Sequence, residues 1–190
     1  LQHHGTWGSA HAGVIVIPTV QALAEKLGSS GREIITAMTA GYEVQGRVGA
    51  AVFQHAFERN FHPQGILGVF RSAAAAGKLL GLNEETQATA FAIAGSHASS
   101  ILEYDQAGGE VKRIHGAIAV RSGIQSAFLA KEGFTGPPTV FEGRRGIFAS
   151  FGGGEAKAER VFENIGQSFC ITGCRFRIYP TIGACHGTLD

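Results

Sequence analysis

Four consecutive alanines, Ala73 to Ala76, sit inside an apolar stretch at residues 66–80 that Gly81 closes. Alanine is the strongest intrinsic helix former, and a helix surfaced with methyl groups lets a second helix come close. The same small-residue pattern recurs over residues 117–130, and the chain of 190 residues contains 28 glycines. Gly41, Gly46 and Gly49 fall within another helical stretch, where each lowers intrinsic stability by up to about 1 kcal/mol relative to Ala. A close neighbouring helix offsets that loss. The pattern therefore predicts a domain of tightly packed helices.

Local signals place the helices. Residues 14–27 carry Ile17, Val20, Leu23, Ala24 and Leu27 on one face, with Pro18 in the expected first turn and Gly28 at the end. Ser30-Gly31-Arg32-Glu33 is a capping box opening a second helix that runs to about residue 53. An aromatic break bearing His55 and His62 follows over residues 55–65, then the helix at 66–80. Asn83 caps a fourth helix, with Glu84 and Glu85 in its first turn. It holds His97, extends to about residue 99 and frays into Glu103-Tyr104-Asp105. Residues 113–131 form a fifth helix, stopped by Gly133. Residues 155–165 read as a short charged helix after three glycines at 152–154. Alternating Phe176-Arg177-Ile178-Tyr179-Pro180 is the one strand signal. The fold class expected from this order is an all-α helical bundle.

Charge excludes some functions. Sixteen basic against fifteen acidic residues leave a net charge of +1, which gives no electrostatic basis for binding nucleic acid or an anionic membrane surface. No apolar run approaches the roughly 20 residues that span a bilayer. Cys170, Cys174 and Cys185 match no common zinc spacing, so no metal is expected; three unpaired thiols suit a reducing cytoplasm. The chain opens on Leu1 without a signal-peptide pattern and stops soon after the dense Tyr179-Pro180 to His186-Gly187 segment, so both ends read as cut from a longer protein.

The residues that carry chemistry fall in the breaks. In Gly108-Gly109-Glu110-Val111-Lys112-Arg113-Ile114-His115-Gly116 two cations stand at the mouth of a helix, beside unpaired backbone N–H groups and the positive end of the dipole. An anion is the natural visitor there. His11, His62 and the pair Arg177 and His186 lie in three other breaks. If the helices form one bundle, these loops can converge on a pocket for an anionic substrate. Arg and Lys then clamp carboxylates, and a His moves protons near neutral pH. The glycines at 152–154 lack the Lys-Ser/Thr ending of a phosphate loop, and no Gly-x-Ser-x-Gly elbow occurs.

Several words together resemble the MmgE/PrpD family: Ile17-Pro18-Thr19-Val20, Ala40-Gly41-Tyr42-Glu43-Val44, Phe61-His62-Pro63-Gln64-Gly65, Ala73-Ala74-Ala75-Ala76-Gly77-Lys78, Lys112-Arg113-Ile114-His115-Gly116 and Tyr179-Pro180 with His186. The resemblance implies a two-domain homodimeric enzyme that works without a metal or organic cofactor, its site lying between a helical domain and a smaller α+β domain. Residues 1–165 correspond to the helical domain and 166–190 to the start of the second. The implied reaction is a lyase reaction: dehydration of a 2-hydroxy di- or tricarboxylate such as 2-methylcitrate by proton abstraction next to a carboxylate. Decarboxylation of cis-aconitate type, epimerisation of a dicarboxylate, and a non-catalytic helical binding module are the alternatives. His62, His11, Lys112 and His186 match the family's catalytic positions. Lys112, Arg177, Thr6 and Arg113 form the expected substrate-binding set, and His115 supports the helix start. Two departures stand out: Gln2-His3-His4-Gly5-Thr6 replaces an Asp-rich segment, and Arg177 replaces a frequent Lys.

Overall fold

A computed structural model describes residues 11–174, 178–181 and 185–189. Its helices are α1 (Gly13–Leu27), α2 (Gly31–Glu58), α3 (Pro63–Leu79), α4 (Glu84–Gly95), α5 (Tyr104–Ala107), α6 (Val111–Lys131), α7 (Ile147–Gly152) and α8 (His186–Leu189), with 3₁₀ turns at Ala158–Phe162 and Cys170–Gly173. Among the described residues there is no strand longer than an isolated bridge between Phe61 and Ile101. The bundle predicted from the alanine and glycine pattern is the observed architecture.

The caps form as their chemistry requires. Ser30 and Glu33 complete the capping box, the Glu33 carboxylate accepting from the Ser30 backbone N–H at 2.7 Å. Asn83 caps α4 through the Thr86 N–H, and Gly28 ends α1 at φ 66°.

Helix α3 is the axis of the fold. Every residue from Pro63 to Gly77 is buried, because α1, α2, α4 and α6 all pack against it. Small residues make that possible. A Cβ on Gly68 would stand 2.6 Å from Ile15 and 2.7 Å from Ala119. One on Gly123 would stand 2.4 Å from the Ser72 Cβ. Ser72 then links three helices: its Oγ lies 2.9 Å from Thr19 Oγ1 and donates to the Val120 carbonyl at 3.0 Å. Phe70, Ile66 and Leu67 are almost wholly removed from solvent around this seam, each such side chain contributing roughly 1.5–3 kcal/mol.

Several sequence expectations need correction. Helix α2 continues past residue 53 to Glu58, so His55 lies within it and not in a break. Helix α3 starts at Pro63, with proline in the first turn and its missing N–H harmless. Helix α1 begins one residue early, placing Pro18 beyond the first turn; its ring leaves the Val14 carbonyl without a helical donor. Helix α4 ends at Gly95, and His97 sits half-buried in the following turn. Helix α6 begins at Val111, so Lys112 and Arg113 occupy its first turn. The charged stretch 155–165 forms only the short 3₁₀ turn, since its backbone is pulled toward α2: Arg47 donates to the carbonyls of Val161 at 3.1 Å and Glu163 at 2.8 Å. Ile178, Tyr179 and Pro180 form bends instead of a strand; Phe176 and Arg177 lie outside the described residues.

Candidate active site

The chain reverses before α3 and delivers His62 to its N-terminus. Asn60 takes φ 65°, a conformation asparagine tolerates better than most residues. Phe61 bridges to Ile101, the His62 N–H donates to Ser100 at 3.0 Å, and the Leu102 N–H donates to Asn60 at 2.9 Å. This short ladder fixes residues 100–102 beside the helix start, so α5 puts Tyr104 over His62. Gly65 permits the crossing: a Cβ there would meet Ser99 O and Ser100 Oγ at 2.1 Å.

His62 caps α3 in an extended conformation without using its side chain on the helix. Its imidazole turns to α6 instead. Nδ1 of His62 lies 2.7 Å from Nδ1 of His115, which is 7% exposed. The Tyr104 ring stands edge-on to both, with centroid separations of 5.3 and 5.6 Å. Lys112 Nζ sits 5.3 Å from the centre of the same ring, a cation–π distance.

Gly108 and Gly109, at φ 80° and 106°, turn the chain into α6, a conformation open to glycine at no steric cost. Arg113 then pairs with Glu110 at 2.9 Å on the exposed surface. Lys112 has no carboxylate partner among the described residues.

A cavity of about 550 Å³ opens between α1, the start of α3 and α6. Its polar lining is His11, His62, Gln64, Lys112, Arg113 and Arg121, completed by apolar groups of Val14, Pro18, Ala117 and Val120. Among the described residues three cations and no carboxylate line it. Gln64 and Arg71 hold the His11 backbone from below, each donating to its carbonyl oxygen at 3.3 Å.

Electrostatics divide the histidines from the cations. Burial, reinforced by His115, Lys112, His11 and Arg71, pushes His62 down to about 4. Burial also lowers His115. Both rings are neutral at physiological pH. The Cys170 thiol, buried beside Glu43, is pushed up to about 12 and remains protonated. Among the described residues no three His, Cys, Asp or Glu side chains converge as a metal site would need.

The structure thus gathers four of the predicted residues, His11, His62, Lys112 and Arg113, around one cavity. His186 is not among the lining groups; its ring packs edge-on against Tyr179 at 5.3 Å, and its buried Nε2 has no hydrogen-bond partner among the described residues. Thr6 and Arg177 lie outside the described residues. Sequence reading did not anticipate Tyr104, Gln64 or Arg71. Arg71, a cation in the middle of the mostly apolar stretch at 66–80, was the one signal available for any of them.

Fold and site together define a helical domain whose cavity is lined by a neutral histidine and three cations. Residues 1–160 match the model of the MmgE/PrpD N-terminal domain, and the chain belongs to that family. It is 31% identical to a cis-aconitate decarboxylase-like protein of Aspergillus oryzae, the alignment covering 95% of this chain and 40% of that protein. It is 30% identical to cis-aconitate decarboxylase of Aspergillus terreus, over 95% of this chain and 39% of that protein. The human cis-aconitate decarboxylase is 37% identical over 77% of this chain and 31% of its own length. The chain spans about two fifths of the length of the fungal relatives it matches.

Proposed function

We propose that the protein carrying this domain is a lyase acting on a small tricarboxylate, with decarboxylation of a cis-aconitate-type substrate as its reaction. The observation that carries this reading is the cavity lining: a neutral His62 beside three cations, of which only Arg113 is engaged by a carboxylate, Glu110, among the described residues. The relatives' names favour carbon–carbon cleavage over the loss of water expected from sequence.

In this reading Lys112 and Arg113 hold substrate carboxylates, and His186 joins them as the match to the family motif. Thr6 and Arg177 join them too, although they stand where the family usually has other residues. The bond from the methylene carbon to its carboxylate breaks and CO₂ leaves. The freed electron pair forms a new double bond to the central carbon. The old double-bond pair moves to the former vinylic carbon, where negative charge develops next to a second carboxylate. Fixed cations stabilise that charge without reorganising. A proton delivered to this carbon by His62 or His11 completes the product. Burial is the larger cause of the depressed proton affinity of His62, and the surrounding cations are the smaller one. Bound carboxylates offset the cations and so raise that affinity toward the range in which the ring can carry a proton.

Dehydration of a 2-hydroxy tricarboxylate is the second reading. The two histidines in the cavity lining, His62 and His11, favour it, because loss of water needs a proton acceptor at carbon and a donor at the departing hydroxyl. Residues 166–190 open the second, α+β domain in this scheme, and the enzyme is a cytoplasmic homodimer. The end of the family match at residue 160 supports that division.

A product-resolved assay of the full-length protein with cis-aconitate, 2-methylcitrate and citrate tests the proposal. Release of CO₂ from cis-aconitate, abolished by Lys112→Ala and His62→Ala, is the expected result. Water loss alone selects the second reading. Carboxylate binding without any turnover overturns both and leaves a binding module.

A further inference from the structure

The contact between His62 and His115 has chemical content of its own. Both rings use Nδ1, and 2.7 Å between two imidazole nitrogens is a hydrogen-bond distance. A contact of this length holds one proton: two would repel, and none would set lone pair against lone pair. We infer that His115 is the positioning residue of the site, sharing one proton with His62 and thereby setting whether the Nε2 of His62 meets a ligand as base or as acid. The inference rests on the reading of His62 as the proton-transfer group.

Two arrangements of the shared proton exist. When His62 is the donor, its Nδ1 carries the hydrogen and its Nε2 is bare, able to accept a proton. When His115 is the donor, the neutral His62 must carry its hydrogen on Nε2. His62 lines the cavity whereas His115 does not, and with Nδ1 committed only Nε2 is left for a ligand. A proton taken up at Nε2 of the first arrangement can be balanced by passing the Nδ1 proton to His115. The positive charge then moves to the inner ring, and His62 presents an N–H to the cavity. No proton is lost or gained in that exchange.

The surroundings keep the pair neutral until a ligand arrives. His62 feels His115 and Lys112 on α6, His11 before α1, and Arg71 on α3. Tyr104 and Asp105 lie on α5, the Tyr104 hydroxyl itself held protonated by burial and by Asp105. Glu110 is engaged by Arg113. The Tyr104 ring covers the pair and leaves the imidazoles little freedom to rotate.

The test uses the full-length protein and its His115→Leu and His115→Asn variants. Deuterium exchange at the imidazole C2 carbon, read peptide by peptide by mass spectrometry, gives the titration of His62 without any substrate. In the wild type, His62 is expected to titrate well below 6.5; a wild-type titration at or above that value overturns the inference even if neither variant folds. Removal of the neighbouring ring in His115→Leu takes away the partner of Nδ1 and should move the titration by a resolvable amount, although burial of His62 remains. The same variant should lose 10- to 100-fold in kcat with KM changed less than threefold, and its acid limb should move with the His62 titration. His115→Asn, which restores a polar group near Nδ1, should recover part of kcat. An unmoved titration with undiminished kcat in folded variants means that His115 is only packing. The two levels separate cleanly: a shifted titration in a protein that turns over no carboxylate sinks the lyase reading and keeps the pair, whereas turnover with an unmoved titration does the reverse.

Discussion

Arg71 reaches the backbone carbonyl of His11 at 3.3 Å from a position with no solvent exposure. Among the described residues that is the one bond its guanidinium makes: Nε and the second terminal nitrogen have no partner there. Burial pulls the group down to about 9, against a small opposing pull from Tyr42. A buried charge so poorly compensated opposes folding. Replacing it with an apolar side chain of similar length, Arg71→Met, is expected to leave stability unchanged or raise it by up to about 2 kcal/mol. Gln64 still holds His11. Urea denaturation of the two proteins decides the matter; a loss of several kcal/mol would mean that the guanidinium has a stronger partner in the whole protein.

Gly65 separates activity from stability. A methyl group there collides with Ser99 and Ser100, and backbone shifts of this kind cost typically about 1–3 kcal/mol. The displaced segment leads to Tyr104. Gly65→Ala should therefore reduce kcat/KM more than the comparably crowded Gly123→Ala, which strains the bundle farther from His62. Chemical denaturation and kinetics on both variants provide the comparison.

The depressed histidine predicts how stability follows pH. His62 ionises at about 4 in the folded chain and near 6.5 when unfolded. Between those values the unfolded state binds more protons, so stability rises with pH across that window and falls as the solution is acidified through it. Above pH 6.5 the contribution is flat. The drop in Tm from pH 7.5 to pH 4.5 should be smaller in His62→Gln than in the wild type.

Lys112 is exposed and lies over the ring of Tyr104, a contact worth about 0.5–1 kcal/mol. Lys112→Met should leave the melting curve almost in place while lowering turnover on the proposed tricarboxylate by about 100- to 1000-fold. Lys112→Arg should retain part of the binding, since the charge persists with altered geometry. Steady-state kinetics with a parallel thermal melt distinguish this from a folding defect.

Local chemistry made the helices legible. Ser30 with Glu33, Asn83 with Thr86, and Gly28 each act within a few residues, so their effect can be read from adjacent letters. The bundle itself was visible in Ala73 to Ala76. Boundaries were less so: nothing near Phe53 stops α2, and the helix runs on because Ala56 and Val52 are buried against Leu67. The charged stretch after residue 155 carried a helical pattern that long-range bonds from Arg47 overruled. His62 and Lys112 stood out as candidates because each sits at a break. Their assembly did not, since His62 and His115 are 53 positions apart and meet only through the packing of α3 on α6. Tyr104 looked like the frayed end of a helix, although tertiary placement makes it the roof of the pair.

The seam between α3 and α6 closes through Gly68 against Ala119 and Ser72 against Gly123, with no side chain long enough to flex. Neighbouring teeth on a helix are one turn, about 5.4 Å, apart. Such a joint has no intermediate settings. It fixes the register of α6 on α3, and with it the level at which His115 faces His62. Heating that loosens the joint should therefore part the two rings before the bundle melts, and the proposed activity should fade at temperatures where the helical signal is still complete.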